Sequence, residues 1–244
     1  MLINIITQTL KKNKFIYQLN ENKKFFFENF LYTKFNKLYF IAIPRSGTTL
    51  IGKLLDYFKL DIIWSNHYLK PKFNNKIIYI TAIRNPIQRF VSAFYHTKFN
   101  QKKTFYKFFF LKYPEVSDLI DDINDKNAIS HIKLTHVLNE GLSTFYTIDY
   151  LKKNPPKFIF LYDKINHELN FFFNKILGFN KHELNKIILY KYGVTKKKKL
   201  TNTQKKKLSL FLKNDIEIYN YLLKIRKKTN SKFKSFAIKE FSKR

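Results

Sequence analysis

The chain has no cysteine, one tryptophan, one methionine and only five glycines among its 244 residues. The absence of cysteine excludes disulfides, thiolate metal sites and a cysteine nucleophile, and it fits a reducing compartment. No run approaches the roughly eighteen apolar residues that a membrane span needs. The initial segment MLINIITQTLKK places its lysines after a short apolar stretch, the reverse of a signal peptide. We therefore expect a soluble, cytoplasmic protein without a membrane span.

Acidic residues are also scarce, with 17 Asp and Glu against 47 Lys and Arg, which gives a formal net charge of +30. Lysine supplies 42 of these cations, and Lys, Asn, Ile, Phe and Tyr share A/T-rich codons. A biased genome therefore explains the solvated lysines better than selection for a polyanion, and we expect no specific nucleic-acid partner. Arginine is rare, yet Arg45, Arg84 and Arg89 all fall within two motifs, which suggests a need for the planar guanidinium.

Apolar residues make up 45% of the chain, which predicts a folded protein, and the length fits a single domain over residues 1–244. Residues 38–100 alternate strands and helices, residues 101–156 are expected to form a helical insertion, and residues 157–244 a last strand with C-terminal helices. An aromatic cluster, Phe25 to Phe30, predicts a further helix near the N-terminus. The predicted strands are Leu38–Ile43, Leu60–Trp64, Lys76–Ile83 and Lys157–Tyr162. This order implies an α/β fold with parallel strands and ligands at their carboxyl ends.

The first motif is PRSGTT, Pro44 to Thr49, between the first strand and a predicted helix. A tight turn into a helix directs several backbone N–H groups and the positive end of the helix dipole toward one point, which suits an anion. Gly47 permits close approach of the backbone, and Arg45 can bridge phosphate or sulfonate oxygens. When this segment is considered without the second motif, an ordinary strand-to-helix turn, in which Ser and Thr cap the helix, explains it equally well.

A second interpretation of the same region is a Walker A loop, because GTTLIGK, Gly47 to Lys53, has the spacing G-x-x-x-x-G-K. The next residue is Leu54, where a Ser or Thr is needed for Mg²⁺. Leu50 and Ile51 also fit a helix that is already under way. A P-loop nucleotide kinase or an ATP- or GTP-hydrolysing enzyme is nevertheless an alternative, with Asp163 at the end of the last strand as its candidate acid.

The second motif is RNPIQRFVSAFYH, Arg84 to His96, which follows the third strand and continues into a helix. If the helix begins near Pro86, Ser92 lies nearly two turns into it. Arg84 at the strand end and the Ser92 hydroxyl could then hold one phosphate from two sides. A helix start with surface arginines is the plainer alternative. His96 is expected on the helix face beside this site.

Together the two segments resemble the superfamily of sulfotransferases that use 3′-phosphoadenosine 5′-phosphosulfate (PAPS). PRSGTT resembles its 5′-phosphosulfate loop and R-N-P-x-x-R-x-x-S its 3′-phosphate motif, while LYDKI, Leu161 to Ile165, resembles a later strand-end segment. The resemblance covers residues 38–100 and, less closely, 157–178. It implies a three-layer, P-loop-like α/β domain with a central parallel sheet of about four to five strands flanked by helices.

The resemblance also implies roles for individual residues. The 5′-phosphosulfate would be held by Arg45, Ser46, Gly47, Thr48 and Thr49, and the 3′-phosphate by Arg84 and Ser92. Arg45 would in addition stabilise charge on the leaving phosphate, and no metal is required. His67, in SNHYLKP, is similar to the histidine that acts as the base in many members, although some members use a glutamate.

The chain departs from the cytosolic members because it lacks their C-terminal R-K-G-x-x-G motif. The nearest substitute is the run Lys196–Lys199, which is interpreted as a solvated surface. This departure favours a carbohydrate or another extended hydroxyl-bearing acceptor over a typical phenol or steroid, and the partner we expect is a small-molecule or glycan acceptor. A basic polyanion-binding protein is a third alternative, resting on the charge and on Phe108 to Phe110, although those aromatics have the spacing of core residues.

Overall fold

The computed structural model describes residues 38–58, 62–65, 78–100, 104–182, 184 and 199–241. Its strands form one parallel sheet in the order β2-β1-β3-β4. The strands are β1 (Leu38–Ile41), β2 (Ile62–Ser65), β3 (Ile78–Ile83) and β4 (Phe158–Leu161). The expected α/β class with a parallel sheet is therefore confirmed.

Helices connect the strands and extend beyond the last one. Between β1 and β4 lie α1 (Thr48–Tyr57), α2 (Pro86–Asn100), α3 (Thr104–Lys112), α4 (Val116–Asp121), α5 (Lys126–Leu134), α6 (His136–Asn139), α7 (Leu142–Phe145) and α8 (Ile148–Lys153). After β4 come a 3₁₀ turn (Tyr162–Lys164), α9 (Ile165–Leu169), a π-helical segment (Asn170–Ile176), α10 (Asn202–Phe211) and α11 (Lys213–Phe241).

Strand order places a topological switch point between β1 and β3. The chain leaves β1 to form β2 on one side and then returns to form β3 on the other side. The register pairs Ile41 with Thr81, so β3 continues two residues past the end of β1. Arg84 consequently lies almost level with the loop that follows β1. A crevice at such a point is where open parallel sheets bind ligands.

Both faces of the sheet are covered, because alternate residues of each strand enter different hydrophobic clusters. On one face Phe40, Ile80 and Phe158 pack against α1 and the π-helical segment. On the other face Ile41 and Ile159 pack against α7, α8 and α11. Near-continuous apolar strands are typical of parallel strands buried on two sides, which is why these runs could be recognised in the sequence.

The sequence predicts a helical insertion over residues 101–156. The structure divides its described part into six short helices, most of which pack around a third cluster that includes Phe94, Phe109 and Ile120. After β4, α9 changes to π-helical geometry at Asn170, and Gly178 follows this segment with a φ of 77°. The predicted N-terminal helix lies outside the described residues.

Among the described residues, no helix combines the length and the apolar character that crossing a bilayer requires.

The connection between α6 and α7 is anchored by α11. Asp215 is buried, and its Oδ1 accepts a hydrogen bond of 2.8 Å from the Ser143 backbone N–H and another from the Ser143 hydroxyl. Gly141 approaches so closely that a Cβ placed there would lie 1.7 Å from Asp215 Oδ2. A residue with a side chain at position 141 would collide with Asp215, so the packing requires glycine there.

We expect Gly141→Ala to lower the free energy of unfolding by about 1–3 kcal/mol, the usual cost of overpacking, because Asp215 must move away from Ser143. The matched control is Gly178→Ala, where open space surrounds the glycine and only the φ of +77° opposes a side chain. The control should cost about 1 kcal/mol. Urea denaturation measures both variants, and a Gly141→Ala variant as stable as the wild type would contradict this packing.

Candidate functional site

The loop after β1 makes a tight left-handed turn into α1. Arg45 has a φ of 64°, unusual for a residue with a Cβ, and Gly47 has a φ of 87°. The Ser46 N–H donates to the Ile43 carbonyl at 3.2 Å, and the Gly47 carbonyl accepts the first helical hydrogen bonds. The N–H groups of Thr48 and Thr49, at the start of α1, have no acceptor inside that helix, so they and the helix dipole favour an anion here.

The Arg45 side chain reaches from this loop to α2. Its Nε donates to Ser92 Oγ at 3.4 Å, and its NH1 lies 3.2 Å from His96 Nδ1. Ser92 is buried and His96 is half-buried. Burial lowers the pKa of the Arg45 guanidinium, although the nearby Tyr162 raises it. The structure therefore brings together the first motif and the helical end of the second, 47 residues apart in sequence.

Because a guanidinium can only donate, His96 must accept through Nδ1, which places the ring proton on Nε2 when the imidazole is neutral. Burial lowers the pKa of His96, and the charge of Arg45 lowers it further. The sequence predicts that His96 lies on the helix face beside this site. The contact with Arg45 NH1 identifies the residue that His96 meets there. Nothing in the sequence identified that partner, since Arg45 and His96 meet only through the pairing of β1 with β3.

Arg84 links the ends of three strands. It follows β3, its NH1 donates to the Arg45 carbonyl at 3.1 Å, and its guanidinium carbon lies 4.0 Å from the centre of the Tyr162 ring, just beyond β4. Its exposure is only 8%, so the alternative of a surface arginine does not apply. Burial lowers its pKa, Tyr162 and Asp163 raise it, and the neighbouring Arg45 lowers it. Tyr162, in the LYDKI segment, thus forms one wall of the site.

Two buried polar atoms at this site have no hydrogen-bond partner within the described part of the chain: Arg84 Nε and Ser46 Oγ. Of the two threonines predicted to hold phosphate, Thr48 is buried and Thr49 is exposed at the start of α1. Unpaired buried donors are costly, and a bound ligand is one way to satisfy them. The predicted base, His67, lies outside the described residues.

Arg89 has a structural position that the sequence did not reveal. Its side chain is almost fully buried, and its two terminal nitrogens donate to the carbonyls of Val137 and Leu138 at 3.0 and 3.1 Å. Asn85 meanwhile begins α2 by accepting hydrogen bonds from the N–H groups two and three residues later. The R-N-P-x-x-R segment therefore also fixes α2 in place. The scarcity of arginine was the available signal for Arg89.

A small cavity of about 360 Å³ lies beside Arg84, between α2 and the residues around the start of α10. Lys199 and Lys205 contribute to its lining, together with Leu200. The lysine run was interpreted as a solvated surface. Lys199 is indeed exposed, yet it stands beside Arg84. Residues 196–198 lie outside the described part of the chain.

The site thus gathers cations and hydrogen-bond donors that suit an anion with two separate charged groups. One group would face the turn at Arg45 to Thr48, and the other would face Arg84 and Ser92. Among the described residues, no group of three or more His, Cys, Asp or Glu side chains could hold a metal ion. Comparison with family models, with curated proteins and with solved structures found no significant match to this chain.

The His96 contact predicts a pH dependence. Since the folded state lowers the pKa of His96 below its ordinary value of 6.5, the unfolded chain binds this proton more tightly. Folding stability is therefore lost as the pH falls below that value and is fully present above it. We expect the free energy of unfolding to decline more between pH 7 and pH 5 in the wild type than in His96→Gln. Urea denaturation across this range tests the difference, and parallel curves would contradict it.

Proposed function

We propose that the chain is a sulfotransferase, which moves a sulfonate group from PAPS to a hydroxyl acceptor, with carbohydrates as the favoured acceptor class. One observation carries this proposal: Arg45, Arg84 and Ser92, from two motifs that each follow a strand, meet at the switch point between β1 and β3. The three-layer, P-loop-like form of the domain belongs to the same proposal, supported by helices on both faces of the sheet.

In this proposal the turn from Arg45 to Thr49 binds the 5′-phosphosulfate through backbone N–H groups, with Ser46 Oγ as a further donor. Arg84 and Ser92 bind the 3′-phosphate. Arg84 is well suited to this task because its guanidinium lies over the Tyr162 ring and its Nε has no hydrogen-bond partner in the described part of the chain.

The chemical step is an in-line displacement at sulfur. The acceptor oxygen forms a bond to sulfur, and the bond from sulfur to the bridging oxygen breaks, leaving its electron pair on the departing 3′-phosphoadenosine 5′-phosphate. The acceptor proton goes to a base, for which His67 is the candidate. Arg45 would stabilise the charge that develops on the leaving phosphate. The contacts of the Arg45 side chain with Ser92 and His96 hold it at the crevice before any ligand binds.

The Walker A alternative fits the structure less well. A phosphate-binding loop from Gly47 to Lys53 would have to be open, but α1 begins at Thr48 and includes Gly52 as a buried helical residue. Lys53 is exposed on that helix, and Leu54, at the position for a magnesium-binding hydroxyl, belongs to the core. Asp163, the candidate Walker B acid, is also exposed beyond the end of β4. These features favour the bisphosphate over ATP with Mg²⁺.

The polyanion-binding alternative rested on the aromatics Phe108 to Phe110. Phe109 is fully buried in the third cluster, and Phe110 packs against it. Phe108 alone of the three is largely exposed, at 70%. A platform for stacking nucleic-acid bases needs several exposed rings, so these residues do not support one.

We expect calorimetric titration to show that the chain binds 3′-phosphoadenosine 5′-phosphate and that Arg84→Ala weakens binding at least about 30-fold. Loss of one partner from a buried, hydrogen-bonded charge pair costs about 2 kcal/mol or more. Arg84→Lys should recover only part of the affinity, because lysine lacks the planar fork. Circular dichroism of each variant checks that it remains folded.

The matched control is Lys53→Ala, which removes an exposed cation of α1 and should leave bisphosphate binding unchanged. The wild type and the same variants are also titrated with ATP and Mg²⁺. Binding of ATP that depends on Lys53 and not on Arg84, with no affinity for the bisphosphate, would overturn the proposed function in favour of a nucleotide-hydrolysing enzyme.

A further inference from the structure

A second, larger cavity lies at the opposite end of the sheet from the candidate site. It opens between α11 and the connection from α8 to β4. The Lys157 N–H donates to the Tyr79 carbonyl at 2.7 Å, which places this connection level with the start of β3. Arg84 follows the other end of β3, roughly 16 Å away at about 3.3 Å per residue. The cavity is therefore separate from the site described above.

The inner surface of this cavity is apolar. Leu151 and Phe233 are buried in the core, Pro156 is buried at the start of β4, and Ile225 lies half-buried on α11. The volume of about 690 Å³ falls within the range of small-molecule sites. A pocket of this size is suited to a small ligand with an apolar body rather than to a polymer.

The rim of the cavity is formed by five exposed lysines: Lys152, Lys157, Lys224, Lys228 and Lys232. They make up 5 of the 12 lining residues, so the rim of the cavity is strongly basic. No acidic side chain is among the described residues that line the cavity. Asp149, outside the lining, reaches Lys152 at 3.4 Å.

Three of these lysines lie on one face of α11. Lys224, Lys228 and Lys232 follow one another at four-residue intervals, so their positions are roughly 6 Å apart along the helix. Like charges at this spacing destabilise a helix. An anion bound above them would relieve the repulsion, and the apolar floor below would take the rest of the same ligand.

We propose that this cavity binds a single-chain amphiphile with an anionic head, such as a fatty carboxylate. The alkyl chain packs against Leu151, Ile225 and Phe233, and the head accepts hydrogen bonds from the amino groups of Lys224 and Lys228. Charge complementarity selects the head, and the apolar floor of the cavity accommodates the single chain. This inference is independent of the proposed sulfotransferase activity.

The test is calorimetric titration of the full chain with dodecanoate at pH 8, below its micelle-forming concentration. We expect one binding site and at least about five-fold weaker binding in the double variant Lys224→Ala, Lys228→Ala, as the loss of two partly solvated ion pairs implies. Hexanoate, with the same head and a shorter chain, should bind more weakly than dodecanoate. Dodecyl maltoside, with the same chain and no charge, should also bind more weakly.

The matched control is the double variant Lys227→Ala, Lys234→Ala. It removes two exposed lysines of the same helix that do not line the cavity, so the net charge changes equally. The control should bind dodecanoate as the wild type does. Equal weakening in both double variants would show general charge attraction and overturn the proposal. The absence of dodecanoate binding would also overturn the proposal. The same holds if phosphatidylglycerol vesicles bind to the chain and dodecanoate does not.

Discussion

The parallel pairing of β1 with β3 is the constraint on which the candidate site depends. It joins strands whose following loops carry the two arginine-containing motifs, and its register brings Arg84 level with the turn that contains Arg45. The hydrogen bond from Arg84 NH1 to the Arg45 carbonyl then joins the residue that follows β3 to the loop that follows β1. Without this pairing, the motifs would be two unrelated helix starts, each with an ordinary structural explanation.

The same arrangement carries an electrostatic cost. Two guanidinium groups are held close together and largely out of water, and burial lowers the pKa of both Arg45 and Arg84. The Tyr162 ring offsets part of the cost through its cation–π contact with Arg84. A dianionic ligand would offset more, since it supplies the missing negative charge and the acceptors for unpaired donors. Sites that hold charge in position before the ligand arrives lose little free energy in rearranging upon binding.

The sequence was sufficient to predict the local elements of this site. Apolar runs predicted all four strands to within two residues of their carboxyl ends, and Pro86 correctly predicted the start of α2, because these signals depend on near neighbours. The contacts of Arg45 with Ser92 and His96 could not be derived in this way, since they depend on which strands lie side by side. The contacts of Arg89 with Val137 and Leu138, and the basic rim on α11, could not be derived for a related reason: they depend on burial and on residues distant in sequence.

The most direct measurement of the central claim is an experimental structure of the chain with 3′-phosphoadenosine 5′-phosphate bound. The account predicts that the 3′-phosphate lies within hydrogen-bond distance, about 2.8 Å, of Arg84 and Ser92. The 5′-phosphate should occupy the turn from Arg45 to Thr49. A nucleotide bound elsewhere, or one whose phosphates contact Lys53 instead of these residues, would contradict the account.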